Sequence, residues 1–401
     1  MGKPSRRQSR IQRNQAKQAK PGIVRPGFFA RNKKKAIVFG TATALALGGF
    51  AGVKGVNALR FAKWKQNQSL TVMLGSHQHS TDVIPLANAL EKARQSGRPF
   101  DFLVLENSAI RAGERKEKER VYNKHCAQVR QMFARELEQG NIAPITEFLR
   151  QKGAFKGSPE QVSHGNALIA YAAKYGLRIK LGEEYSRREF ERAEALSGKQ
   201  MQLLGESKEN LPTSAVLEKA RQVIIAEKNY LRLRNQALAN ITSRAAAELR
   251  KENPVLRSRE LKGAVQAGLG HFGVVEEIKR KGIKGMKVDV IVDLSKERFK
   301  RIPAGTKGVF SIPATDLLAE SRAKGQNATP EQVALTFLIE PIYRGAVNAG
   351  DSKQAVWIAQ QAFRQTPQNA SMILSQVQGL TGQPRVIKIM ELMTGQKTVI
   401  Q

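Results

Sequence analysis

The sequence predicts an α/β protein: a mostly parallel sheet flanked by helices, with an N-terminal transmembrane helix and a C-terminal helical extension. Three observations predict it. Ser69 to Ser80, SLTVMLGSHQHS, is an apolar β-type run that empties into a glycine and two histidines, and apolar residues on both faces mark a strand covered on both sides. Further runs of the same kind end in acids or a histidine and are followed by helical patterns, the alternation from which parallel sheets are built. Finally, 401 residues at 41% hydrophobic suffice for one large core with appendages or for two domains.

The chain begins with a basic arm. Residues 1–35 carry twelve Lys or Arg among Gln, Ser, Gly and Pro, with too little apolar surface to offset the entropy of ordering. Ala36 to Val53 follows, eighteen residues without a charge, bounded by Lys33 to Lys35 and by Lys54. That is close to the roughly 20 residues needed to span a bilayer. A cleaved signal peptide and a buried helix compete with a retained anchor over residues 36–58. The long leader favours the anchor. Twelve basic residues before the span against four after it hold the N-terminus inside and the main domain outside.

The main domain is expected over residues 66–312. After the opening strand comes a helix from Val83 to Ala93, then a strand, FDFLVLE, that ends in Glu106. Ala109 to Glu138 reads as one charge-rich helix holding His125 and Cys126. Ser158-Pro159-Glu160-Gln161 is a cap-plus-proline start for a helix to about Tyr175. His164 falls in its first turn, where a solvated surface position is expected. Leu177 to Leu181 is a third strand, followed by Glu183 and Glu184.

A long helix runs from Ser214 to about Arg250, with Leu217, Ile224, Leu231, Leu238 and Ala245 recurring every seven residues as a buried stripe. Arg234 and Asn235 flank that stripe, so they point toward the protein. An inward Arg needs a carboxylate beside it; snorkelling to the edge is the alternative. Leu261 to Gly273 is a fourth strand, ending in Gly268-Leu269-Gly270-His271 where a helix to Lys281 opens, and Lys287 to Asp293 is a fifth. Residues 313–401 read as helices, with starts at Thr329-Pro330 and Thr366-Pro367. Asn348 to Ala370 resembles half of a tetratricopeptide-like hairpin, and one such unit must pack on the main domain.

Charge and cysteine content narrow the classes. The formal net charge is +33, and residues 1–65 hold sixteen Lys and Arg with no Asp or Glu. Basicity of that kind points to a tail on an anionic lipid surface, with nucleic acid the weaker reading. Cys126 is the only cysteine, which excludes an intramolecular disulfide and a zinc-thiolate site.

In a parallel sheet, chemistry gathers beyond the C-terminal strand ends. There the chain brings His77, His79, Glu106, Glu183 or Glu184, and His271, with Arg234 from the long helix. Four of these motifs in order, the GSHQH turn, Glu106 in DFLVLENS, Arg234-Asn235 in LRLRNQALANI, and Gly268 to His271 in AGLGHFGVVEEIKRKG, resemble the superfamily of TraB and Tiki proteins, ChaN lipoproteins and erythromycin esterases. The resemblance covers about residues 66–295. In that pattern the first histidine stands three residues after the glycine, whereas His77 is one residue nearer to Gly75 and His79 one farther.

The resemblance implies a hydrolase acting on a peptide or ester bond, with His77, His79, Glu106, Glu184, Arg234 and His271 as catalytic residues. Its Tiki branch implies a divalent metal ion, for which His77, His79, Glu106 and His271 would supply N and O ligands. Its esterase branch implies a histidine base without metal. The competing expectation is a non-catalytic, membrane-anchored module that holds a peptide or haem in the same pocket.

Overall fold

A computed structural model describes residues 68–75, 80–106, 110–155, 157, 159–281, 286–294 and 312–395. The expected arm over 1–35, the expected span over 36–58, and both His77 and His79 lie outside the described residues. Among the described residues no helix is long and apolar enough to cross a membrane.

The first half of the chain runs β1 (Gln68–Gly75), α1 (Ile84–Gln95), β2 (Phe102–Leu105), β3 (Ile110–Arg111), α2 (Arg115–Met132), α3 (Ala134–Gln139), α4 (Ala143–Gln151), α5 (Pro159–Lys174), β4 (Arg178–Leu181) and β5 (Glu184–Tyr185). It continues through α6 (Arg187–Gly205), α7 (Thr213–Glu252), β6 (Leu261–Gly268), α8 (Gly273–Arg280) and β7 (Lys287–Val292). Helices α9 (Pro313–Ala323), α10 (Pro330–Asn348), α11 (Ser352–Phe363), α12 (Pro367–Gln376) and α13 (Gly382–Thr394) complete it.

Five strands form one sheet in the order β4-β2-β6-β1-β7, every pairing parallel. The late strand β6 inserts between β1 and β2, with Gly75 opposite Gly268 and Leu105 opposite Gln266. That register ends β1, β2 and β6 at one edge, where Glu106 and the turn after Gly268 emerge together.

Alternation along the strands divides the core into two layers. Leu70, Val72, Leu74, Phe102 and Val104 pack with α7 and α8, whereas Met73, Leu103 and Leu105 pack with α1, α2 and α5. Glu106, two residues after Val104, is therefore delivered to the α7 side. A third core joins α6, the first half of α7 and helices α9 to α13. The forty residues of α7 span about 60 Å at 1.5 Å per residue, so one helix serves both a sheet layer and a helical layer. Of its seven-residue stripe, Leu231, Leu238 and Ala245 are buried, and Leu217 and Ile224 pack half-buried on the helical core.

Two sequence expectations change. Ala109 to Glu138 is not one helix: Ile110 and Arg111 pair in parallel with Glu184 and Tyr185 as a second small sheet, and Gly113 turns the chain at φ +92° before α2 begins. A left-handed glycine is a local stop that periodicity does not register. The same segment breaks again at Phe133, which is non-helical (φ −126°, ψ 34°) and sets its ring on Phe148 at 5.3 Å. The strand expected over Leu261 to Gly273 ends at Gly268, and Leu269 to Phe272 is a single 3₁₀ turn carrying His271.

Candidate functional site

Glu106, Glu183, Arg234 and His271 meet at the C-terminal edge of the sheet. Gly182 lets the chain after β4 pass close by: a Cβ there would stand 2.2 Å from Leu238 and 3.1 Å from the Leu105 carbonyl oxygen. Glu183 follows with its side chain fully buried. Arg234 extends from α7 between the two acids. Its Nη2 lies 2.5 Å from Glu106 Oε1 and 2.5 Å from Glu183 Oε1, while Nε lies 2.9 Å from Glu183 Oε2. Tyr185 donates its hydroxyl to Glu183 at 2.9 Å, and the backbone N–H of Gly268 donates to Glu106 Oε2.

His271 stands behind Glu106, 2% exposed. Its Nδ1–H donates to Asn235 Oδ1 at 2.7 Å, which leaves Nε2 facing Glu106 Oε1 at 3.1 Å without a well-aligned hydrogen bond. One step of α7 thus supplies both the arginine that pairs the acids and the amide that orients the imidazole.

Charge and burial act in opposition here. Burial is the largest influence on Arg234 and works against its charge, but Glu106 and Glu183 outweigh it and hold the guanidinium pKa well above its ordinary value. The Tyr185 phenol is pushed up, by burial first and then by the Glu183 charge. Arg234 keeps one amino group, Nη1, with no hydrogen-bond partner among the described residues.

In front of this cluster lies a cavity of about 590 Å³, walled by Phe155, His164, Phe190 and Tyr230 and floored by Glu106, Glu183, Arg234 and Gln266. Among the described residues, Glu106, Glu183 and His271 form a group that could hold a cation, their ligand atoms all within 4.8 Å of one another. No family model, curated protein or solved structure matches the chain.

Of the expected site residues, Glu106, Arg234 and His271 come together; His77 and His79 lie outside the described residues. Glu184 does not join them. It accepts from Arg115 Nε at 3.3 Å and from the Gly113 N–H at 3.2 Å. Adjacent residues of extended chain face opposite ways, so Glu183 enters the site and Glu184 leaves it.

His164 is 4% exposed and lines the cavity rather than the surface, because α5 is buried from His164 onward while its first turn is exposed. Gln266 was not expected at all. A glutamine inside the apolar run KGAVQAG was the available signal, since a polar residue in a covered strand needs a reason to be there.

Proposed function

We propose that the α/β domain is a hydrolase that activates water against a peptide or ester carbonyl without a metal ion. The observation that supports this best is Arg234 Nη2 at 2.5 Å from both Glu106 and Glu183. A guanidinium already occupies the facing oxygens of the two carboxylates that a divalent ion would need, so an acid–base mechanism fits the site more readily than a metal-centred one.

In this reading Glu106, which faces the cavity, removes a proton from water. His271 Nε2 receives it at 3.1 Å, the resulting imidazolium is steadied by Asn235 at Nδ1, and the proton returns through Glu106 to the leaving alkoxide or amine as the oxyanion collapses and the scissile C–O or C–N bond breaks. Arg234 turns its spare Nη1 to the developing oxyanion. The order of a glycine turn, a strand-end acid, an Arg-Asn helix and a second histidine resembles the superfamily named above and supports the same reaction class.

The test is hydrolysis of p-nitrophenyl esters and of a fluorogenic peptide library by the full chain. Glu106→Gln and His271→Ala should each lower turnover by about 10²- to 10⁴-fold, the range for a positioned acid–base group, with the circular dichroism spectrum retained. Full activity in both variants would remove the site from consideration. A metal-dependent reading is favoured by one observation, the grouping of Glu106, Glu183 and His271 within 4.8 Å; loss of turnover on dialysis against a chelator and its return with a divalent ion would select it. The basic arm and residues 36–58 serve in this proposal as a membrane anchor, and release of the intact chain from membranes by alkaline carbonate would refute that part.

A further inference from the structure

The end of the sheet opposite Glu106 and His271 is basic. Every strand pairing is parallel, so the starts of β1, β2, β4 and β6 gather there, and Arg98, Arg178, Lys251, Arg257, Arg259 and Lys262 stand at or beside these starts. Hydrogen bonds tie them to one another. The Arg178 N–H donates to the Asp101 carbonyl at 3.1 Å and Lys262 Nζ to the Arg98 carbonyl at 3.3 Å, while Arg257 Nε donates to the Arg250 carbonyl at 3.3 Å and Arg250 Nη2 to the Arg259 carbonyl at 3.1 Å. Asp101 is held by Arg259 and Glu252 by Lys180, and Glu260 adds one more acid. Arg98, Arg178, Lys251 and Arg257 are exposed and have no ion-pair partner among the described residues.

Val255 is the second observation. It lies in the 3₁₀ turn Pro254–Ser258 between α7 and β6, with Lys251 in the turn of helix before it and Arg257 just after it. At 80% exposure it is the most exposed large hydrophobic residue among the described residues. The turn is held in shape, because the Asn253 side chain accepts the Val255 N–H at 3.1 Å and Pro254 fixes its own φ. A solvated basic face has no use for an aliphatic side chain kept in water. An anionic bilayer does, since it presents negative headgroups to the cations and an apolar layer beneath them to the valine. A nucleic-acid backbone offers the cations its phosphates and offers Val255 no such layer.

We propose that this edge of the α/β domain docks on an anionic phospholipid surface, with Val255 entering the headgroup layer and Lys251, Arg257 and their basic neighbours pairing with lipid phosphates and carboxylates. β1 begins at the same edge, Gln68 standing opposite Leu261, so the uncharged run of residues 36–53 is joined to this edge through residues 54–67. The inference extends the anchor reading from a tether to an oriented docking, and it stands on the domain's own surface. Its consequence for the candidate site is geometric. The eight residues of β6, at about 3.3 Å each, lift Glu106 and His271 roughly 25 Å clear of the lipid, so a bond cleaved there lies outside the bilayer.

The experiment places an environment-sensitive fluorophore at Val255→Cys or at Ile225→Cys in the full chain and adds vesicles of phosphatidylcholine, alone or mixed equally with phosphatidylserine. Ile225 is 59% exposed on α7, roughly 40 Å from the C-terminal end of that helix at 1.5 Å per residue, and Cys126 is buried from the label. The label at Val255 should shift to the blue and brighten several-fold on the phosphatidylserine vesicles, and a lipid with a spin label on its headgroup should quench it; the label at Ile225 should show neither effect. Adding Lys251→Glu and Arg257→Glu, both exposed positions, should abolish the response. An equal response on neutral vesicles, the same response at both positions, or none at Val255 would each overturn the proposal, and equal brightening with a DNA duplex would overturn it in favour of nucleic acid. Extraction by alkaline carbonate is read separately. A chain that resists extraction while the Val255 label stays in water keeps the anchor and loses the docking, and a chain that is extracted but responds at Val255 on anionic vesicles does the reverse.

Discussion

Asn235 Oδ1 accepts the Nδ1 hydrogen of His271 at 2.7 Å, and this bond decides which imidazole nitrogen faces Glu106. Groups that orient a functional histidine in this way are typically worth about 10- to 100-fold in activity. Asn235→Leu should lower turnover by that amount, and Asn235→Asp, which keeps an acceptor, should retain most of it. Nitrogen NMR of His271 checks the cause: the Leu variant should lose the single Nδ1–H tautomer.

Gly273 tests the same bond from the other side. Its φ of −64° suits any residue, but an added Cβ would stand 2.8 Å from Asn235 Nδ2. Gly273→Ala should therefore displace the amide and lower turnover, while thermal unfolding, followed by circular dichroism, shows α8 still formed.

Arg234 is bound to the stability of the site through its pairs with Glu106 and Glu183. Removing one partner of a buried ion pair strands the remaining charges, at a cost of about 3–5 kcal/mol. Arg234→Ala should lose that much in urea-induced unfolding because Glu106 and Glu183 are left facing each other. Replacing all three by apolar residues should recover part of the loss, which a purely additive account would not allow.

A second charged cluster governs the acid response. Arg115, 3% exposed, pairs with Glu119 at 2.6 Å, Glu248 at 2.9 Å and Glu184 at 3.3 Å. Lys180 joins it through Glu119, Glu248 and Glu252. Burial is the largest influence on Glu248 and raises its pKa, but Arg115 and Lys180 together outweigh it and leave it below the ordinary 4.5. A depressed carboxylate contributes stability that is present above pH 4.5 and lost as the pH falls through its folded value. Wild type should thus exceed Glu248→Gln in urea stability at pH 7, and the difference should close toward pH 3. A difference that widened in acid would contradict the assignment.

Cys126 is 1% exposed, and burial pushes its thiol up to about 12. Only the thiolate reacts readily, so Ellman's reagent at pH 8 should find no accessible thiol in the native chain and one after unfolding in guanidinium. Fast labelling of the native protein would show that α2 and α5 separate in solution.

Much of the architecture is written locally. The apolar runs at β1, β2 and β6 announce covered strands, and the cap-plus-proline starts at Thr329 and Thr366 do begin helices, each threonine accepting a backbone N–H from Gln332 or Asn369. The structure adds a capping box from Ser186 to Glu189 that opens α6. Periods of 2 and 3.6 residues and cap chemistry need only the neighbouring few residues, so the sequence by itself marks the strands of the main sheet, the long helix α7, and the acids and histidine that follow the strands, whereas the small β3–β5 pairing and the breaks at Gly113 and Phe133 escape it.

Tertiary structure decided the rest. Inserting β6 between β1 and β2 brings Glu106 beside Gly268 and His271, and no local pattern encodes that order. The choice of Glu183 over Glu184 depends on where Arg234 and Arg115 stand, 51 and 69 residues away along the chain. His164 looked solvated by its place in a first helical turn, and only the packing of α5 against the sheet edge turned it into the cavity. The partners of buried polar groups are set by contacts between distant segments, and a one-residue change of register would exchange them all.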